Sequence, residues 1–194
     1  MFARWITSAV SVLVFAGPAR AQRPELGRWL IELEPLPILS SGIGVSARFV
    51  PSRASRFAIG ISGVTQDVEG FAQDVVFANA DALETRLTWA LGVEALYFLR
   101  AQQRGFHVSA TAGIEEFRAR TTSAGPRLQD VRTNGFGTLQ LGYVWYPGIG
   151  GLYINPRIGG ITTFATDHQR SVGGTSYELE RIFPSAWLRI GLRL

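Results

Sequence analysis

The sequence predicts an all-β chain folded as an eight-stranded antiparallel up-and-down transmembrane β-barrel. Three observations predict it. Stretches of regular alternation recur along the chain, apolar on one parity and polar or small on the other, as strands with one face in lipid require. The connections alternate between short and long, and the short turns near residues 51, 102 and 149 all fall at one end. Aromatic residues crowd that same end: Trp29, Phe49, Phe57, Tyr97, Phe106, Trp145 and Tyr153. Even strand number, short turns on one side, longer loops on the other and an aromatic girdle agree on one topology.

Residues 1–21 read as a signal peptide and are excluded from the barrel domain, 22–194. Arg4 supplies the positive start, an apolar run from Trp5 to Ala16 follows, and Ala19-Arg20-Ala21 is a small-x-small cleavage site. The run is too short for a spanning helix. Without Arg4 and Arg20, 17 arginines face 15 acids, so the formal charge falls from +4 to +2. That balance gives no case for nucleic acid. Every base is arginine, which suits bidentate pairing with buried carboxylates. There is no cysteine, so disulfides and thiolate chemistry are excluded.

The first strand alternates Trp29, Ile31 and Leu33 with Leu30, Glu32 and Glu34, and Pro35 and Pro37 end or bend it. A short turn at Ser40-Ser41-Gly42 leads to the second, with Ile43, Val45, Ala47 and Phe49 outward and Gly44, Ser46 and Arg48 inward. The third places Phe57, Ile59 and Ile61 outward. From Thr65 to about Leu83 the alternation fades into a long loop, with strand character near Asp74–Ala78. The fourth is the longest regular run. Leu87, Trp89, Leu91, Val93, Ala95, Tyr97 and Leu99 face outward, and Arg86, Thr88, Gly92 and Glu94 inward. Its length suits a tilted bilayer crossing.

In the fifth strand Phe106, Val108, Ala110, Ala112 and Ile114 oppose His107, Ser109, Thr111, Gly113 and Glu115. After Glu116 the parity slips, with Phe117 read as outward, by a bulge or by emergence from the membrane. Residues 123–133 read as a polar loop. The sixth strand sets Leu139, Leu141, Tyr143 and Trp145 against Thr138, Gln140, Gly142 and Val144. Pro147–Gly151 makes a tight turn, and the seventh alternates Leu152, Ile154, Pro156 and Ile158 with Tyr153, Asn155, Arg157 and Gly159. A loop from about Asp167 to Pro184 precedes the last strand, with Tyr177–Ile182 able to extend it. That strand alternates Ala186, Leu188, Ile190, Leu192 and Leu194 with Trp187, Arg189, Gly191 and Arg193. Aliphatic side chains fit lipid, while arginines need water or a carboxylate. A soluble barrel with the parity reversed, lipocalin-like, is the alternative at the level of fold.

Across nearly the whole mature chain the sequence resembles the small eight-stranded outer-membrane β-barrel family. The resemblance is carried by the signal peptide and by the closing Trp187, Leu188, Ile190, Gly191, Leu192 and Leu194, which look like that family's C-terminal assembly signal; such signals usually end in Phe or Trp. It implies the bacterial outer membrane, reached after cleavage near Ala21. The implied partners are outer-membrane lipid and the barrel-assembly machinery, with a monomer expected and no cofactor. The family is defined by architecture and implies location better than activity.

The inward parity gathers Glu32, Glu34, Arg48, Arg86, Glu94, Glu115, Arg157, Arg189 and Arg193. Side chains just fill an eight-stranded barrel, so these charges are expected to pair across the lumen, in a structural or loop-binding protein without enzymatic activity. A small pore is the alternative reading of the same charges. His107 and Ser109 share a face, and the stretch to Gly113 resembles the His-x-Ser-Asn-x-Gly run of outer-membrane lipid A deacylases without its Asn. The bland reading, a satisfied His beside a lumen Ser, is preferred. Glu115-Glu116 lacks a neighbouring His and carries no metal motif, so no metal is expected.

Overall fold

The computed structural model describes residues 28–52, 54–68, 71–78, 80, 83–101, 103–122 and 128–194. The expected signal peptide lies outside them. The barrel strands are β1 (Trp29–Glu34), β2 (Ile43–Phe49), β3 (Phe57–Val68), β5 (Leu83–Phe98), β6 (Gly105–Thr121), β7 (Gln129–Val144), β8 (Leu152–Phe164) and β11 (Ile182–Arg193). They close in the order β1-β11-β8-β7-β6-β5-β3-β2, every pairing antiparallel. Outside the barrel wall are two short helices, α1 (Leu36–Leu39) and α2 (Phe71–Val76), and three short strands, β4 (Phe77–Ala78), β9 (Gln169–Val172) and β10 (Thr175–Leu179). β4, β10 and β9 form a small second sheet.

The aliphatic parity faces outward: Ile61, Leu91, Leu139 and Ile158 are each 60–65% exposed, while Arg48, Glu94 and His107 on the opposite parity are fully buried. This is the reverse of a lipocalin-like interior. At the short-turn end Trp29, Phe57, Tyr97, Phe106 and Trp145 are exposed on the outer wall, and Trp29–Phe49 and Phe106–Tyr143 pack ring to ring at 5.3 and 4.9 Å. Tyr153 is not part of this rim. It lies on the inward parity and is buried with Leu30, Val50, Ala58, Leu96, Phe98, Val144 and Tyr146 in an apolar plug. Its ring lies over Gly191, where any side chain would collide with it.

At the long-loop end the structure corrects several expectations. The span 65–83 is not all loop: β3 continues to Val68 and α2 and β4 follow. β7 begins at Gln129, so only the start of the expected 123–133 loop falls before the strand, and 123–127 lie outside the described residues. Residues 167–184 hold β9 and β10, joined by Gly173-Gly174 at φ 60° and 83°, the positive pair that a two-residue hairpin turn requires.

Two parity readings change with them. β6 keeps one parity throughout, and Phe117 points inward, 4% exposed. The irregularity lies instead on β5, where the register with β6 shifts between Leu87 and Trp89. Thr88 is the extra residue. Below it the even residues Ala90, Glu94, Leu96 and Phe98 are buried; above it the odd residues Leu83, Thr85 and Leu87 are. Leu87 therefore faces in and Arg86 faces out.

The inward residues here are apolar because the barrel has risen into its own lid. Val68, Phe77, Leu83, Leu87, Phe117, Val172, Tyr177 and Leu179 form one buried cluster, with Phe77 edge-on to both Phe117 and Tyr177. The Tyr177 hydroxyl donates to Asp130 Oδ2 at 2.6 Å, and burial together with that bond pushes the phenol up. Arg132 reaches the carbonyls of Asp167 and His168, tying the β9–β10 hairpin to the wall.

Candidate functional site: a charged layer across the lumen

Between the apolar plug and the lid lies a belt of charge. Its six members come from inward positions of five strands: Glu32 and Glu34 from β1, Arg48 from β2, Glu94 from β5, Arg157 from β8 and Arg189 from β11. Strand tilt brings these distant positions to one level.

Glu94 is the hub. Arg48 Nε donates to its Oε2 and Arg157 Nη1 to its Oε1, while Arg189 Nη1 stands 3.1 Å from both oxygens. Glu32 is the second centre. Its Oε2 accepts from Arg48 Nη2 at 2.6 Å and from Ser46 Oγ at 3.2 Å, with Arg189 Nη1 at 3.4 Å and Arg157 Nη2 at 3.6 Å. Its Oε1 accepts from Asn155 Nδ2 at 2.9 Å. Glu34 takes Arg189 Nη2 at 2.5 Å. Three carboxylates thus meet three guanidiniums, all of them buried. Unpaired, each would carry a desolvation penalty of several kcal/mol; Arg meets it here through its planar fork of donors.

The other expected members sit elsewhere. Arg86 faces outward and pairs with Asp67 at 3.3 Å, half-exposed, because the Thr88 bulge reverses its parity. Glu115 is inward and buried but forms no ion pair with the belt, and its Oε1 has no hydrogen-bond partner among the described residues. Arg193 is buried at the short-turn end near Tyr146, whose ring also carries the Arg104 guanidinium at 4.9 Å. Burial pushes the Tyr146 phenol up, against the pull of both arginines. Ser46 and Asn155 complete the belt; being uncharged they fall outside the charged set, and their inward parity is the sequence signal for them.

His107 and Ser109 are buried at the edge of this belt. Asn155 gives its amide nitrogen to Glu32, so its oxygen accepts from His107 Nε2–H at 2.9 Å. Ser109 Oγ accepts from Arg157 Nη1 at 3.4 Å and makes no hydrogen bond with His107. Nucleophilic catalysis needs a base on the hydroxyl. Here the hydroxyl is held by a guanidinium, and the ring packs tilted against Phe98 at 5.2 Å.

In the closing strand Leu188, Ile190, Leu192 and Leu194 lie on the outward parity and Trp187 and Gly191 on the inward one.

No family model and no curated sequence matches the chain. Two solved structures are similar to it. The N-terminal β-barrel domain of Pseudomonas aeruginosa OprF is 10% identical, over 87% of this chain and 98% of that one, at a TM-score of 0.46. Neisserial surface protein A, NspA, is 11% identical, over 86% and 93%, at a TM-score of 0.45. By its own strand ladder, with an apolar outer wall and an ion-paired interior, the chain has the fold of the small eight-stranded outer-membrane β-barrels.

Proposed function

We propose that the protein is an integral outer-membrane barrel, inserted after signal-peptide removal near Ala21, that neither conducts nor catalyses in its lower lumen and acts through its wall and its outer end. The observation that carries this is the pairing of an exposed aliphatic parity with a buried, charge-balanced belt. An outward aliphatic wall is stable in hydrocarbon, where only closed barrels and helices satisfy their backbone. The belt and the apolar plug beneath it fill the lumen side to side, and the space among Leu30, Arg48, Phe98, Tyr146 and Tyr153 has no room for a water molecule. The working surface is then structural or loop-mediated, with outer-membrane lipid and the assembly machinery as partners and the monomer as the unit.

Two measurements test it. Heated and unheated samples should migrate differently on a detergent gel, and the mature protein should fractionate with the outer membrane; recovery in the soluble periplasm would remove the membrane reading. In planar bilayers the protein should give no steady ion current, and stable conductance steps would favour the pore. On this reading His107 and Ser109 have structural roles beside the belt, so His107→Ala and Ser109→Ala should leave the acyl composition of outer-membrane lipid as the parent leaves it. Loss of an acyl-removing activity in either variant would install the lipid-modifying enzyme instead.

A further inference from the structure

The barrel closes on a short ladder. β1 and β11 pair only from Leu30↔Arg193 to Leu33↔Ile190, with Trp29 and Leu194 exchanging backbone bonds below at 3.1 and 2.9 Å. Above Ile190, β11 runs on to Ile182 paired with β8 alone. The direction of its backbone groups follows from two bonds. Arg193 N–H donates to Gly151 and Thr163 N–H to the Arg181 carbonyl. In an antiparallel ladder this commits the odd residues of β11 to β8 and turns the N–H and C=O of the even ones toward β1. Ile190 and Leu192 meet Leu33 and Ile31 there. Leu188, Ala186, Pro184 and Ile182 meet no described strand.

The sequence explains the stop. Continuing the register, Leu188 would face residue 35 and Ala186 residue 37. Both are proline, without an N–H to give, and the chain turns into α1 at that point. On the open edge itself Pro184 carries no donor.

Behind this gap lies a cavity of about 690 Å³, the size of a small-molecule site. Its lining joins lumen-facing Phe136, Phe183 and Trp187 to Leu36 of α1 and to Ala186 of β11, so the space reaches both sides of the seam. Arg189 of the belt lines it below. Directly after β1, α1 packs toward β2 and β3 and leaves Ile38 and Leu39 exposed, Leu39 by 85%. Inside, the carboxyl of Glu115 lines the space, its Oε1 enclosed and without a hydrogen-bond partner among the described residues.

We propose that the β1–β11 seam is a lateral portal through which a long-chain molecule with a hydroxyl end leaves the outer leaflet and enters the lumen. The hydrocarbon lies against Phe136, Phe183 and Trp187, and the hydroxyl donates to Glu115. The proposal rests on the membrane reading above.

The test uses the full mature chain in phosphatidylcholine vesicles with a trace of long-chain alcohol bearing a diazirine beside its hydroxyl. Insertion is read separately from heat-dependent migration, so failure of the membrane reading shows there and failure of the portal shows as an inserted barrel without lumen label. Peptide mapping should find the label on Glu115, Phe136 or Trp187. Pro35→Val with Pro37→Val restores two donors opposite Leu188 and Ala186, lengthens the seam, and should lose most lumen label while outward label on Leu91 persists. Thr138→Trp fills the cavity from β7 without touching the seam and should lose the lumen label too, which decides the matter if the proline variant does not insert. Glu115→Leu should remove the preference for the alcohol over the matching alkane probe. Label confined to outward residues in the parent, or lumen label that survives both the seam closure and the filling, would overturn the portal.

Discussion

Glu94→Gln should destabilise the barrel by about 3–5 kcal/mol in reversible unfolding from lipid vesicles, the range for breaking a buried ion pair from one side. Three guanidiniums converge on that carboxylate, and all three would remain buried against two carboxylates where there had been three. Asp67→Ala is the internal control: its pair with Arg86 is half in solvent, and such pairs contribute about 0–1 kcal/mol. Restoring the balance should recover part of the loss. Glu94→Gln combined with Arg157→Gln leaves two charges of each sign and should cost less than the sum of the single changes, a coupling that a double-mutant cycle reads directly. Equal costs for Glu94→Gln and Asp67→Ala would mean that the belt contributes no more than a surface pair.

Leu91→Arg should cost about 2–4 kcal/mol in the same assay, the penalty for a cation near the bilayer midplane on the lipid face of a barrel. Leu91 is 60% exposed at the middle of the outward band of β5. Thr138→Arg should cost less, because Thr138 lines the lumen cavity together with Glu115, where a carboxylate or water can meet the new charge. The reversed order would mean that the aliphatic parity faces a protein core.

How far the fold could be read depended on height in the barrel. In the band around the charged belt the rule that apolar means outward holds, and the inward and outward sets of β1, β2, β8 and β11 stand where alternation puts them. Above the band the inside becomes a small core of its own. There Leu87 and Phe117 are apolar because they face the lid, and Arg86 is free to face water. The sequence carries no mark of the level at which one solvent replaces the other. The charges of the belt were legible as a set, since parity alone gathers them. Their partners were not, because pairing depends on strand stagger, a global quantity that closure decides. Pro35 and Pro37 were visible as the end of a strand; that their missing donors face β11 emerges only from the register.

The extra residue at Thr88 makes β5 a strand with two phases. Leu87, Trp89 and Leu91 are evenly spaced in sequence, yet Leu87 belongs to the lid and Leu91 to the exposed outer wall. The chain thus changes solvent without changing its pattern, and one inserted position does what would otherwise take a rewritten segment. Along a lineage, a length change of one residue at this point would exchange the lid and the outer face of the whole upper half of the strand, whereas the hydropathy profile would hardly register it.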